Sequence, residues 1–117
     1  MTSTKAFILS LVLFFITHVI VWFQVNGQFL FKWFKDNPLL VSLIGVPISY
    51  GYIYAVSYGF EAFDNKLWPG RFLGFAVGMV VFGILTGVFL KEGINTKTAV
   101  SLVLATALVC IQIFWKS

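Results

Sequence analysis

The chain contains one histidine, His18, and it lies inside a long apolar run. Imidazole is the side chain that exchanges a proton near neutral pH, and an ionisable group within an apolar span marks a proton or solute path by default. A lone histidine can equally remain neutral and donate one hydrogen bond to a neighbouring helix. Both readings stand at the level of sequence. His18 opens the stretch Thr17–Gln28, which also carries three amides, Gln24, Asn26 and Gln28. Gln24 and Asn26 are candidates for binding a polar solute at a cavity mouth. Their plainer role is to satisfy a helix end and meet water. Tyr50, Tyr54 and Tyr58 recur every four residues. Tyr50 and Tyr54 would form an aromatic wall for a flat or cationic ligand, or serve as packing and interfacial residues. Glu61, Asp64 and Glu92 fall at the edges of apolar runs, so they read as solvated charges. No zinc-ligand cluster, GxSxG, P-loop or dinucleotide fingerprint occurs, and a lone His and a lone Cys do not make a nucleophile pair. The sequence therefore predicts no enzyme, no cofactor and no metal site.

The elements that must position these residues are membrane spans. Of 117 residues, 60% are hydrophobic and 10% charged, with a mean hydropathy of +0.97. A soluble domain carries about 25% charged residues, so this chain cannot cover itself with polar surface and needs the lipid bilayer as solvent. The aromatic share of 19% is concentrated at run ends, as in an interfacial belt. The net charge of +4 comes from basic residues placed singly or in pairs beside those ends, which suits headgroups rather than nucleic acid. Cys110 has no partner for an intramolecular disulfide. Lys5 followed by an apolar run resembles a signal peptide. The run continues to about Phe23 without a small-x-small cleavage site, which favours a retained span.

The predicted fold is an all-α membrane protein, one domain over residues 1–117, with spans at roughly 6–23, 39–59, 71–90 and 98–115. In the first span Ser10, Thr17 and Gln24 share a face, and His18 lies about 80° round from Ser10 at 100° per residue. The stretch 29–35 reads as a short interfacial helix with snorkelling lysines. Gly45 and Pro47 predict a kink in the second span. Residues 63–69 read as a loop. In the third span Gly74 and Gly78 share one face, and Gly83 and Gly87 share the opposite one, so two close-packed neighbours are expected. Asn95 or Thr96 is placed to cap the fourth helix. There, Ser101 and Ala105 belong to a small-and-polar seam with Thr98 and Gln112, suited to another helix. Short connections make consecutive helices antiparallel neighbours.

Four spans put both termini on one side, with Lys5, Lys66, Arg71 and Lys116. The other side carries Lys32, Lys35, Lys91 and Lys97. Orientation follows the imbalance of such counts, and here they tie. The tie is compatible with dual insertion and an antiparallel homodimer. A single decisive charge is the alternative.

In size and layout the chain resembles the small four-helix members of the drug/metabolite transporter superfamily, which include the small multidrug resistance proteins. Two local stretches carry the resemblance. Thr17-His18-Val19-Ile20 stands where that group commonly has alanine-glutamate-valine-isoleucine, and Val88–Ile113 looks like the family's closing hairpin. The resemblance implies an antiparallel dimer with a central cavity between the first three helices of each chain, joined through the fourth. The chain departs from the family at the cation-binding carboxylate of the first helix, where it has His18. The expectation is a small transporter-like protein, multi-pass in the cell (inner) membrane, that moves or binds a small organic solute as a homodimer. The alternative is a non-transport role, as an accessory or structural subunit or a holin-like pore former.

Overall fold

The computed structural model describes residues 3–115, so the expected interfacial anchor Lys116 lies outside the described residues. The fold is all-α, with no strand among those residues. Four helical segments are long and apolar enough to cross a membrane: Thr4–Phe29, Pro38–Ala62, Leu67–Phe89 and Thr96–Phe114. The chain therefore has the architecture of a multi-pass membrane protein.

Helix α1 covers Ser3–Asn26 and passes into a 3-10 turn at Gly27–Phe29. Gly27 is needed there because the Phe34 ring lies against it: a Cβ would stand 2.6 Å from Phe34 Cδ2. That contact folds the short helix α2, Lys32–Asp36, back under the end of α1. The Asn37 side-chain amide donates to the Trp33 carbonyl at 2.8 Å, satisfying one of the open carbonyls of α2. Pro38 then opens α3, Pro38–Ser42, at the position where its missing N–H is not required.

The predicted kink lies just upstream of Pro47. Helix α3 ends at Ser42, and α4 runs over Gly45–Ala62. Proline has no N–H to give the carbonyl four residues back, and the Leu43 carbonyl instead accepts from Val46 N at 3.2 Å. After α4, Asp64 and Asn65 take positive φ values of 56° and 61°, a conformation that short polar side chains tolerate. Helix α5, Leu67–Phe89, begins four residues before the expected span. Residues 67–69 are its first turn rather than loop, because a proline inside the first turn removes no intrahelical bond. Helix α6, Thr96–Phe114, is capped by Asn95, whose Oδ1 accepts from Thr98 N at 2.9 Å.

Helices α1, α4 and α5 form the packed body of the protein, with Phe14, Ala55, Leu73, Val77 and Val81 at its core. The α1–α4 seam is polar against small. Ser10 and Thr17 are buried. Ser10 Oγ donates to the Ala55 carbonyl at 2.7 Å and faces Gly59, while Thr17 Oγ1 occupies the place of a Gly51 Cβ. Between α1 and α5, rings on α1 fill the glycine hollows of α5: Phe14 over Gly74 and His18 over Gly78. One half of the third span thus has the close neighbour its glycines predict. The other half has no such close contact among the described residues, since a Cβ on Gly83 or Gly87 would meet nothing within 4 Å. Helix α6 packs mainly on α5 and has no buried residue. Its inward side is Leu102, Ala105 and Val109, which line an apolar crevice of about 580 Å³ against α5. Ala105 therefore faces a helix as expected, whereas Ser101 is exposed and bonds its own helix, Oγ to the Lys97 carbonyl at 3.0 Å.

Candidate functional site

The three packed helices bring His18, Tyr52 and Gly78 together near mid-height. Helix α1 places His18 one residue beyond Thr17, just off the seam with α4. Helix α4 places Tyr52 one residue beyond Gly51, just off the same seam from the other side. Gly78 gives the ring room: a Cβ there would come 2.7 Å from His18 Cδ2 and Nε2.

The hydrogen bonds fix the tautomer of the neutral imidazole. His18 Nδ1 lies 2.7 Å from the Phe14 carbonyl oxygen, which only accepts, so Nδ1 carries the proton. In the neutral ring Nε2 is then the acceptor. Tyr52 Oη stands 3.3 Å from Nε2 and donates its proton to it. The two rings meet edge to face at 5.4 Å and 89°. Their polar edges thus form a short chain, from Tyr52 hydroxyl to imidazole to helix carbonyl, that leaves the hydroxyl oxygen with free lone-pair capacity. A proton arriving at Nε2 would turn the ring into a double donor and require Tyr52 to accept.

This pair borders an open cleft of about 580 Å³. Phe14, Phe75, Phe82 and Met79 supply apolar walls, Gly74 and Gly78 make up part of its α5 wall, and Arg71 stands at its end toward the α4–α5 loop. The volume falls within the range of small-molecule sites, and apolar walls with a few convergent polar groups are their usual composition. A larger opening of about 940 Å³ lies at the edge of the bundle, between the loop after α4 and the end of α6. Its ionisable side chains are Asp64 and Lys66, charges of the water-facing edge rather than mid-span groups.

Of the residues singled out from sequence, His18 lines the mid-span cleft, with Gly74 and Gly78 beside it. Tyr50 and Tyr54 do not. They are 63% and 53% exposed on the outer face of α4, and the tyrosine that meets His18 is Tyr52. Gln24 reaches the break between α3 and α4, its Nε2 donating to the Val41 carbonyl at 3.5 Å. Asn26 precedes the 3-10 turn and makes no side-chain cap bond. Gln28 Nε2 donates to the Val25 carbonyl at 3.0 Å. The amides thus serve the end of α1, away from the cleft. Gly83 and Ala105 line the apolar crevice between α5 and α6.

Tyr52 carried a readable signal. The small residues Gly51, Ala55 and Gly59 mark the face of α4 that meets α1, and Tyr52 adjoins it. A second buried polar contact had a weaker one. Trp22 Nε1 donates to Thr86 Oγ1 at 3.0 Å with both residues buried, one turn along α1 from His18. The rings of Trp22, Phe23 and Phe89 close over that end, with centroids 5.2 to 5.8 Å apart. No cluster of three or more His, Cys, Asp or Glu suited to a metal ion occurs among the described residues. In comparisons with known proteins, no family model, no curated protein and no solved structure matches this chain.

Proposed function

We propose that this protein is a small membrane carrier of the drug/metabolite transporter type, which binds a small organic solute in the cleft between α1, α4 and α5 and works as a homodimer. The observation that carries this reading is the His18–Tyr52 pair. It is a hydrogen-bonded polar group near mid-height, on the wall of an open cleft of about 580 Å³ with aromatic sides. Polar groups within a span face the bundle interior or a cavity and mark solute paths, and carriers bind their solutes near the midplane. The departure at the first helix bears on the solute: a neutral imidazole does not attract a cation as a carboxylate does.

The test is ligand-dependent stability of the purified protein in mild detergent. Flat organic solutes of either charge, 1-naphthoate and tetraphenylphosphonium, serve as probes. The carrier reading expects a small defined oligomer, a raised melting temperature with at least one probe, and loss of that shift in His18→Ala. No shift with either probe, from a protein that elutes as a large assembly and makes liposomes leak, would replace it with the holin-like reading. That alternative draws on a separate observation, the unfilled glycine face at Gly83 and Gly87, which suits assembly through many copies.

A further inference from the structure

Resting on that reading, we propose that the solute is an amphipathic organic anion: a carboxylate or phosphate head held by Arg71, and a flat apolar body lying along α5 toward His18. The cleft's charge pattern points this way. Among its lining residues Arg71 carries the only permanent charge, His18 and Tyr52 are the other polar side chains, and no Asp or Glu is present. Arg71 is exposed near the start of α5, and its guanidinium offers a planar fork of donors that suits a bidentate acid group.

Energetics separates the two ligand signs. A hydrogen bond to a charged group is about twice as strong as one between neutral groups, and Arg71 can make two of them to one acid group. A cation in the same place would find ring faces and the spare lone pair of the Tyr52 hydroxyl, and would be repelled by Arg71. The dimensions also select a body. Arg71 and Gly78 are seven residues apart on α5, about 10 Å at the helical rise. That is the length of a two-ring aromatic acid. Phe75 lies one turn beyond Arg71, and Gly78 with the His18 ring upon it lies the next turn on.

The acid could belong to a free solute or to a lipid whose head reaches the cleft from the bilayer edge. The experiment separates these. The whole protein is placed in nanodiscs of phosphatidylcholine and titrated calorimetrically with 1-naphthoate and with its cationic counterpart 1-naphthylmethylammonium. Expected is binding of the acid and at least tenfold weaker binding of the ammonium. Arg71→Gln should weaken the acid by about tenfold, one charge-assisted bond. Arg71→Lys, which keeps the charge and loses the fork, should bind between the natural protein and Arg71→Gln, and Lys66→Gln, an equal charge change outside the cleft, should retain all of the binding. In discs containing phosphatidylglycerol, unchanged naphthoate affinity identifies a free solute. Competitive loss that disappears in Arg71→Gln identifies the lipid head as the same chemistry from the other source. Equal or tighter binding of the ammonium, abolished by His18→Ala, would overturn the anion and leave the solute cleft standing. Naphthoate binding unaffected by Arg71→Gln would overturn Arg71 as its anchor. Failure of both probes would overturn this proposal and the carrier reading together.

Discussion

At Gly78 an imidazole occupies the volume of the missing side chain, and that one contact decides how His18 is held. The ring is fixed on three sides: by the Phe14 carbonyl at Nδ1, the Tyr52 hydroxyl at Nε2 and the α5 backbone beneath it. Gly78→Ala would place a methyl 2.7 Å from two ring atoms, a distance at which something must move. Overpacking of this kind costs about 1–3 kcal/mol, which over most of its range exceeds the roughly 1 kcal/mol that alanine gains over glycine in a helix. The variant should melt lower in detergent. In a His18→Ala background the obstacle is gone, and Gly78→Ala should become neutral or stabilising, giving a coupling of about 1–3 kcal/mol in the double-mutant cycle. Additive effects would show that the ring is free to turn away from α5. Gly83→Ala is the control, because its Cβ meets nothing within 4 Å.

Between elements, the α1–α4 seam grades its glycines by what lies opposite. A Cβ on Gly51 would collide with Thr17 Oγ1, while one on Gly45 would make ordinary contact, 3.6 Å from Gln24 Nε2. Gly51→Ala is therefore expected to lower the melting temperature and Gly45→Ala to leave it level or raise it. Equal effects would mean that helix propensity, not the seam, sets the outcome. The α1 side of this seam is legible in the sequence, since Ser10, Thr17 and Gln24 at seven-residue spacing mark a face; the helix it meets, α4, comes from the structure. The four spans and the kink near Pro47 were legible for similar reasons, since uninterrupted apolar length and a missing backbone donor are local properties. Tyr52 was not found, because the four-residue repeat of Tyr50, Tyr54 and Tyr58 describes a face without saying whether it turns to protein or to lipid. Apolar and aromatic residues suit both sides of a membrane helix, so only the small residues at 51, 55 and 59 distinguish them. The start of α5 was missed because proline and glycine at positions 69 and 70 read as loop, although both suit a first turn, and Gly70 there lies against Gly59.

For the whole molecule the question is which way up it sits, and the charges placed by the fold bear on it directly. The loop after α4 and the start of α5 carry Lys66 and Arg71 at the end of the bundle where α1 begins with Lys5, and Lys116, outside the described residues, is the fourth basic residue that the sequence assigns to this side. Helix α2 carries Lys32 and Lys35, the segment between α5 and α6 carries Lys91, and the first turn of α6 carries Lys97, all at the other end. With equal basic counts, neither orientation is favoured by the imbalance that normally fixes topology. The homodimer we propose has its natural form here as an antiparallel pair, each copy supplying one cleft. Helix α6 has no buried residue and a Cβ on Gly87 would meet nothing within 4 Å, so in that proposal these faces are the ones open to the second copy. Two reporters fused at Ser117, one active only inside the cell and one only outside, measure the orientation directly. Comparable signal from both is expected for the natural sequence. Lys91→Gln with Lys97→Gln removes two of the four basic residues on one side and should collapse the signal to a single reporter, with the depleted side outside. If the copies must oppose, that variant should also lose the dimer in detergent, and co-expression with an oppositely biased variant, Lys5→Gln with Lys66→Gln, should restore it. A single-reporter signal from the natural chain, with a dimer that survives the lysine changes, would establish parallel copies and rule out the antiparallel arrangement.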